Sequence, residues 1–408
     1  MIVMDQAKEP AQQQPRPYTP KDRGYTMALI ASLCSGLASY NALYATQAIL
    51  PTLTEDFGVT PSTAALTVSA ATGGLALMVI PTGIISERFG RRIILQVSVL
   101  VSTFLSLLLV VLPSIQSIIA IRLVQGFAIA GVPAVMMAFL AEEVDKKYLP
   151  RIMGFYIAGN SLGGLIGRLI PGIALDFFPW RTAIALSAVF AIAMAILTVF
   201  TLPHQRFFQP KKITLAHELH AFATHLTNPT LVKLFALPFL TMGAFVSLYN
   251  YLGFRLIDRF GLPEALAALI FITYLSGTWT STRAGNLVER FGSRKVVVGC
   301  TATALLALLA LLIPSLPVTV IAVFLFTGAF FAGHSVASSW VGEVATHDRA
   351  EASSCYILCY YVGSSIIGWC SGYVFHLGWA PLVGWLVLLF GAALVTAFFI
   401  SSSRATPP

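Results

Sequence analysis

Charge is what this 408-residue chain has least of: 10% of its residues are Asp, Glu, Lys or Arg. A soluble domain carries about 25%, so with 57% hydrophobic residues a water-facing fold is excluded. Acidic residues are the scarcer sign. All 17 fall in the N-terminal tail, in loops or at the ends of apolar runs. With no carboxylate expected at mid-membrane, nothing is left to neutralise a buried organic cation. Cysteine is sparse too. Cys34, Cys300, Cys355, Cys359 and Cys370 all lie inside apolar runs, which argues against a disulfide framework. Cys355 and Cys359 share a helix face, but nothing nearby completes a metal-ligand set. The chain has no phosphate-binding glycine loop with its lysine, no His-Glu zinc motif and no G-x-S-x-G elbow. An enzyme is therefore not expected, nor a metal, a cofactor or an ATP-driven engine within this chain.

What the chain has in abundance is long apolar runs, with a mean hydropathy of +0.81. Crossing a bilayer takes about 20 apolar residues as helix. Twelve runs qualify, near 26–50, 62–85, 92–112, 115–141, 150–175, 180–202, 230–257, 263–286, 294–314, 317–343, 352–376 and 378–402. The net charge of +8 sorts along them. Alternate loops and the two tails carry 20 of the Lys and Arg residues, whereas the other side carries three, Arg181, Arg255 and Arg259. Such an excess marks the cytoplasmic side, so both termini are expected there. The basic charge is a topology signal rather than a nucleic-acid footprint. Residues 1–25 are rich in Pro, Gln and charge and read as a disordered cytosolic tail, not a cleavable signal peptide. Residues 403–408 form a second short tail.

The chain also repeats itself. "GIISERFGRRIIL" from Gly83 returns 202 residues later as "GNLVERFGSRKVV" from Gly285, both written G-x-x-x-E-R-F-G-x-R. "AEEV" at 141–144 is echoed by "VGEV" at 341–344, and "YIAGNS" from Tyr156 by "YYVGSS" from Tyr360. Residues 26–202 and 230–402 are therefore read as two six-helix bundles of one design, joined by a linker at 203–229. The linker places Leu215, Leu219, Phe222 and Leu226 at helical spacing, with His217, His220 and His225 on other faces, as in a helix lying on the membrane surface. His217 and His220 stand three apart, the spacing of a metal pair, but the reading adopted is a solvated polar face.

Two bundles in parallel relation are the architecture of an alternating-access transporter, with the solute between them near the midplane. The doubled motif resembles the signature loop of the major facilitator superfamily, between helices 2 and 3 and again between 8 and 9. The chain is most similar to that family's bacterial drug:proton antiporters, over nearly all its length beyond the tail. The resemblance implies an all-α polytopic fold of 12 transmembrane helices in two pseudo-symmetric six-helix bundles. It also implies proton-coupled export of a small molecule across the inner membrane by a single chain.

Within the motif, Gly83 and Gly285 are expected to allow close helix approach, and Gly90 and Gly292 a tight turn. Glu87 and Arg88 are expected to make charged contacts across the cytoplasmic ends of neighbouring helices, with Glu142 and Glu143 as partners for Arg88, Arg91 or Arg92. In the second copy Glu289 stands in the place of Glu87, and Glu343 is the equivalent partner for Arg290 and Arg294. Such pairs would latch the inner ends of the halves in one state and part in the other; the alternative is that the arginines only fix topology. Arg122, in an R-x-x-Q-G element similar to that of proton-coupled family members, and Arg168 are charges deep within spans, a costly and usually functional placement. For Arg168 an ion pair with Asp176, two turns on, is the structural alternative. "GNSLGGLIGR" at 159–168 partly matches the exporter motif G-x-x-x-G-P-x-x-G-G, with Gly164 in place of the proline and Arg168 in place of the last glycine.

His334 is the sole histidine deep in a span and suits reversible protonation, or else a simple helix contact. Helical spacing offers Tyr40, Asn41, Tyr44, Gln47, Asn250, Tyr274, Tyr356 and Tyr360 as the lining of a solute cavity. Three functions follow in order: proton-coupled export of a small organic solute; carriage of an organic anion in either direction on Arg122 and Arg168; and a transporter-like membrane sensor without flux.

Overall fold

Residues 16–210 and 222–400 are described by a computed structural model of the chain. Their backbone is mostly helical, and the sole β pairing among these described residues is one parallel bridge between Tyr18 and Val144. The first half runs α1 (Arg23–Tyr44), α2 (Leu50–Phe57), α3 (Pro61–Phe89), α4 (Arg91–Leu108), α5 (Ile115–Ile129), α6 (Gly131–Glu143), α7 (Leu149–Ala174) and α8 (Trp180–Thr201). The second runs α9 (Pro229–Phe260), α10 (Glu264–Ala268), α11 (Tyr274–Phe291), α12 (Ser293–Ala310), α13 (Leu316–Val344), α14 (Arg349–Phe375) and α15 (Trp379–Phe398).

Three crossings are bent pairs: α1 with α2, α5 with α6, and α10 with α11. The break before α6 has a simple cause. Pro133 has no N–H to give to Ile129, four residues earlier. The helices thus make twelve membrane crossings, six in each bundle, as the repeat predicts. Eleven are long and apolar enough by composition alone. The twelfth, α7, is 26 residues long but diluted by six glycines, an asparagine and two arginines. The expected linker residues His217, His220, Leu215 and Leu219 lie outside the described residues. Of the rest, Phe222 packs into a cluster of the second bundle, and His225, 1% exposed, bonds the Asp348 carbonyl at 3.0 Å.

The bundles are zipped by glycines, since lipid supplies no hydrophobic drive between helices and close packing must do the work. Along α7, a Cβ added to Gly159, Gly163 or Gly167 would lie 3.1 Å from Leu33 Cα, 2.8 Å from Leu37 Cα or 2.7 Å from Asn41 Cα. The repeat carries the device into the second half, where Gly363 matches Gly159. A Cβ there would lie 2.7 Å from Phe239 Cα on α9. Gly90 (φ 97°) and Gly292 (φ 80°) turn the chain between α3 and α4 and between α11 and α12 in conformations that side chains disfavour. Gly83 and Gly285 correct the expectation of close approach. An added Cβ at either meets nothing within 4 Å, because both sit where the halves are not in contact.

We call the end where α1 begins the near end. The eight hydrogen bonds that join the bundles among the described residues all lie in the middle or at the far end. The far-end set includes Thr52 Oγ1 to Glu264 Oε1 (2.6 Å), Ala265 N to Asp176 Oδ1 (3.1 Å) and Ser365 Oγ to the Ser69 carbonyl (2.7 Å). Nearest the near end are Tyr40 Oη to Tyr361 Oη (2.9 Å) and Ser161 Oγ to Thr278 Oγ1 (3.0 Å). At 1.5 Å per residue, Ser161 is about 18 Å inside α7 from its near end.

Gly163→Leu is expected to destabilise the first bundle by about 1–3 kcal/mol through overpacking, read as a lower melting temperature in detergent. Gly285→Leu, with open space around it, is expected to melt like the parent.

Candidate solute and gating sites

The first motif copy centres on Arg91, the N1 residue of α4. Its Nε and Nη2 donate to Glu142 Oε1 at 2.8 and 2.7 Å, Nη2 also to Glu87 Oε1 at 2.5 Å, and Nη1 to Ser86 Oγ at 3.1 Å. All three partners belong to the first bundle. The expected latch between halves is therefore corrected to a brace within one half, tying α3 to α4 and α6. Glu143 does not join it. Fully buried, it accepts from the backbone N–H groups of Arg206 (2.6 Å) and Phe207 (2.9 Å) and pairs with the Arg206 guanidinium at 3.7 Å. Arg92 bonds His204 at 3.2 Å, and Arg88 is exposed over the Phe89 ring.

The second copy lacks the brace for a reason visible in the alignment of the repeats. The position of Arg91 is Ser293, one of the variable letters of the shared pattern. Arg294 donates instead to the Phe398 carbonyl and Arg290 lies over Phe291. Glu289 and Glu343 are exposed, with no ion pair among the described residues. The expected pairing of Glu343 with Arg290 or Arg294 is not present.

Arg122 and Arg168 are both buried, at 0% and 1% exposed, yet they do different work. Arg122 Nε donates to the Thr67 carbonyl (2.6 Å), Nη1 to the Ala42 carbonyl (2.6 Å) and to Gln125 Oε1 (2.5 Å), and Nη2 to the Leu43 carbonyl. Ala42 and Leu43 are in the last turn of α1, whose carbonyls have no helical partner. A cation there also meets the negative end of the helix dipole. Arg122 thus caps α1 and staples it to α3 and α5, and all four bonds remain in the first bundle. The anion-ligand reading of Arg122 finds no support in this arrangement.

Arg168 reaches across. Its Nε donates to Gln47 Oε1 at 2.7 Å, Nη2 to Tyr274 Oη of the second bundle at 3.0 Å, and Nη1 to the Gly164 carbonyl at 2.7 Å. Gln47 in turn donates to Asn250 Oδ1 at 2.7 Å, again across the halves. The guanidinium lies 3.9 Å from the Tyr44 ring centre, 4.5 Å from Tyr274 and 5.2 Å from Phe271, an aromatic enclosure suited to a cation. Among the described residues no carboxylate pairs with it. The alternative partner Asp176 is taken by the Ala265 N–H instead. The two departures from the exporter motif are coupled here. A Cβ at position 164 would come 3.2 Å from Arg168 Nη1 and 3.6 Å from Tyr44, so the glycine makes room for the arginine.

Of the expected lining, Tyr40, Tyr44, Gln47, Asn250 and Tyr274 gather at this seam. Asn41 does not. It turns inward to bond Ser187 at 3.0 Å, which corrects its place in the lining. Tyr356 and Tyr360 instead surround His334. His334 Nδ1 meets Tyr356 Oη at 2.9 Å, the Tyr360 ring lies 4.7 Å from the imidazole, and a small cavity with Cys300 and Thr301 on its wall adjoins it. Tyr361 and Phe271 escaped sequence reasoning. Tyr361 follows Tyr360 directly, and spacing alone does not tell which of two adjacent tyrosines faces the partner bundle.

The chain belongs to the Major Facilitator Superfamily, whose sequence profile matches residues 28–283 and 265–408. It is a transport protein of that family by its relatives as well. It is 38% identical to the inner membrane transport protein YnfM of Escherichia coli (strain K12), over 92% of this chain and 90% of that one. It is 34% identical to the uncharacterized MFS-type transporter YybF of Bacillus subtilis (strain 168), over 95% and 96%. Among solved structures, it resembles a bacterial homolog of the human lysosomal transporter Spinster in an inward-facing, occupied conformation. The TM-score is 0.75, with 14% identity over 95% of this chain and 98% of that one.

Arg122→Leu is expected to strip the α1 carbonyls of their cap and lower stability by about 1–3 kcal/mol, seen as earlier melting and less folded protein on size exclusion. Arg122→Lys is expected to recover part of the loss.

Proposed function

We propose that this protein is a secondary transporter of the bacterial inner membrane that moves a small organic anion by alternating access, with Arg168 receiving the solute's acidic group. One observation carries the reading: a fully buried guanidinium at the seam between two bundles, without a carboxylate among the described residues, held by groups from both. Anions seek such a site because the cation is already desolvated and its fork matches a carboxylate. Neighbouring Tyr44, Tyr274 and Phe271 favour a solute with a ring or a short apolar body.

The working motion is a rocking of residues 26–202 against 230–402, within a single chain. The charge asymmetry of the loops supports cytoplasmic termini, which makes the near end cytoplasmic. Bundles joined at the far end and middle then correspond to an inward-facing state. Gly83 lies on the part of α3 left without a partner in this state and serves as its closing surface when the near end shuts.

Proton-coupled export is the second reading, favoured by the His334–Tyr356 pair beside the central tyrosines and by the resemblance to drug:proton antiporters. Protons are the coupling ion in this reading, and His334 the group that carries them. A sensor without flux would bind the same solutes and move none.

Transport in proteoliposomes with an imposed pH gradient, across aromatic acids, sugars and cationic dyes, tests these readings. Flux of acids is expected, with Arg168→Gln raising the half-saturating concentration roughly 10- to 100-fold; flux of cationic dyes alone overturns the anion reading. His334→Gln is expected to abolish solute-driven proton movement while solute binding persists. Gly83→Leu is expected to fold normally but to slow turnover, and an unchanged rate removes Gly83 from the closing surface.

A further inference from the structure

The contacts of Arg168 carry more than a binding site. Nε and Nη2 form the side-on edge of the guanidinium, the pair of donors that grips a carboxylate through two parallel bonds. Here the edge is filled by two neutral oxygens, Gln47 Oε1 at 2.7 Å and Tyr274 Oη at 3.0 Å. One comes from each bundle. The third bond, from Nη1 to the Gly164 carbonyl, lies on the other side and stays within α7. We infer that Gln47 and Tyr274 are a built-in stand-in for the two carboxylate oxygens of the solute, and that Tyr274 sets whether the carrier can cycle without cargo.

This rests on the anion reading above and follows from the cost of burying a cation. A guanidinium that loses its partners in a closed site is strongly disfavoured, so a carrier without internal partners closes only around an anion and is confined to exchange. Tyr274 removes that restriction. Its hydroxyl arrives from the second bundle as the far end closes and leaves as it opens. Closure without solute therefore completes the arginine's shell, and a bound carboxylate takes the same edge in its place. Gln47 is held ready by its own bond to Asn250. The consequence is net transport, not obligatory one-for-one exchange. Tyr274 is thus a positioning residue for the empty half of the cycle.

Hydrogen exchange of the purified full-length protein, without organic acids, reads this directly at the far-end segments 47–57 and 262–272. Tyr274→Phe keeps the ring and removes only the oxygen, and is expected to speed exchange of both segments roughly tenfold or more. The same change in an Arg168→Gln background is expected to have no effect. Equal protection in Tyr274→Phe and the parent overturns the proposal, as does an effect that persists with Arg168→Gln. Benzoate, added as a carboxylate probe, is expected to restore protection to Tyr274→Phe; loss of protection that benzoate leaves untouched overturns the carboxylate premise, on a readout separate from the hydroxyl's own. In proteoliposomes loaded with benzoate, Tyr274→Phe is expected to lower net benzoate efflux roughly tenfold or more relative to its effect on benzoate exchange. Equal loss of both overturns the assignment.

Discussion

Taking a guanidinium out of water with no carboxylate beside it is costly unless fixed dipoles replace the lost hydration. Arg168 meets that requirement with three oxygens and the faces of three aromatic rings. Because one oxygen and two of the rings belong to the other bundle, the cation cannot be separated from the way the halves meet. The far-end seam, the glycine at 164 and the tyrosines around it are all arranged by this one need. Even the bond between Gln47 and Asn250 serves it, since an amide that accepts from the arginine has its N–H left over for the partner bundle.

The glycine seams show what a repeated sequence records well. Gly159 and Gly363 fall at the same place in the echoed "YIAGNS" and "YYVGSS", and both press their helix against the first helix of their own half. Packing of this kind depends on a residue being small, and smallness survives duplication as a visible letter. The twelve crossings and the turns at Gly90 and Gly292 were legible for the same reason. Partnerships were not. A motif with two acids and three arginines nearby does not say which pairs form, and Glu143 went to the linker's backbone while Glu142 took Arg91. The brace itself hung on a position that the repeat treats as variable, Arg91 in one half and Ser293 in the other.

The buried charges divide along a similar line. Both arginines were legible by their depth, Arg122 also by its R-x-x-Q-G element, but neither signal gives a direction. Arg122 sits 46 residues before Arg168, and only the fold reveals that one faces the end of α1 and the other the seam. In the echo of α7, the place of Arg168 is taken by Gly372, and that of Gly164 by Gly368. The duplicated design thus kept its scaffold in both halves and placed its cation in one.

The strand leaving the first bundle and the turn entering the second are each pinned to their own half. Glu143 holds the backbone at Arg206 and Phe207, and His225 holds the turn at Asp348. Eighteen peptide steps separate Phe207 from His225, a contour length of about 60 Å when fully drawn out. Within that reach the covalent connection keeps the halves at high mutual concentration. Alongside that connection, the halves are held to each other by the noncovalent seam.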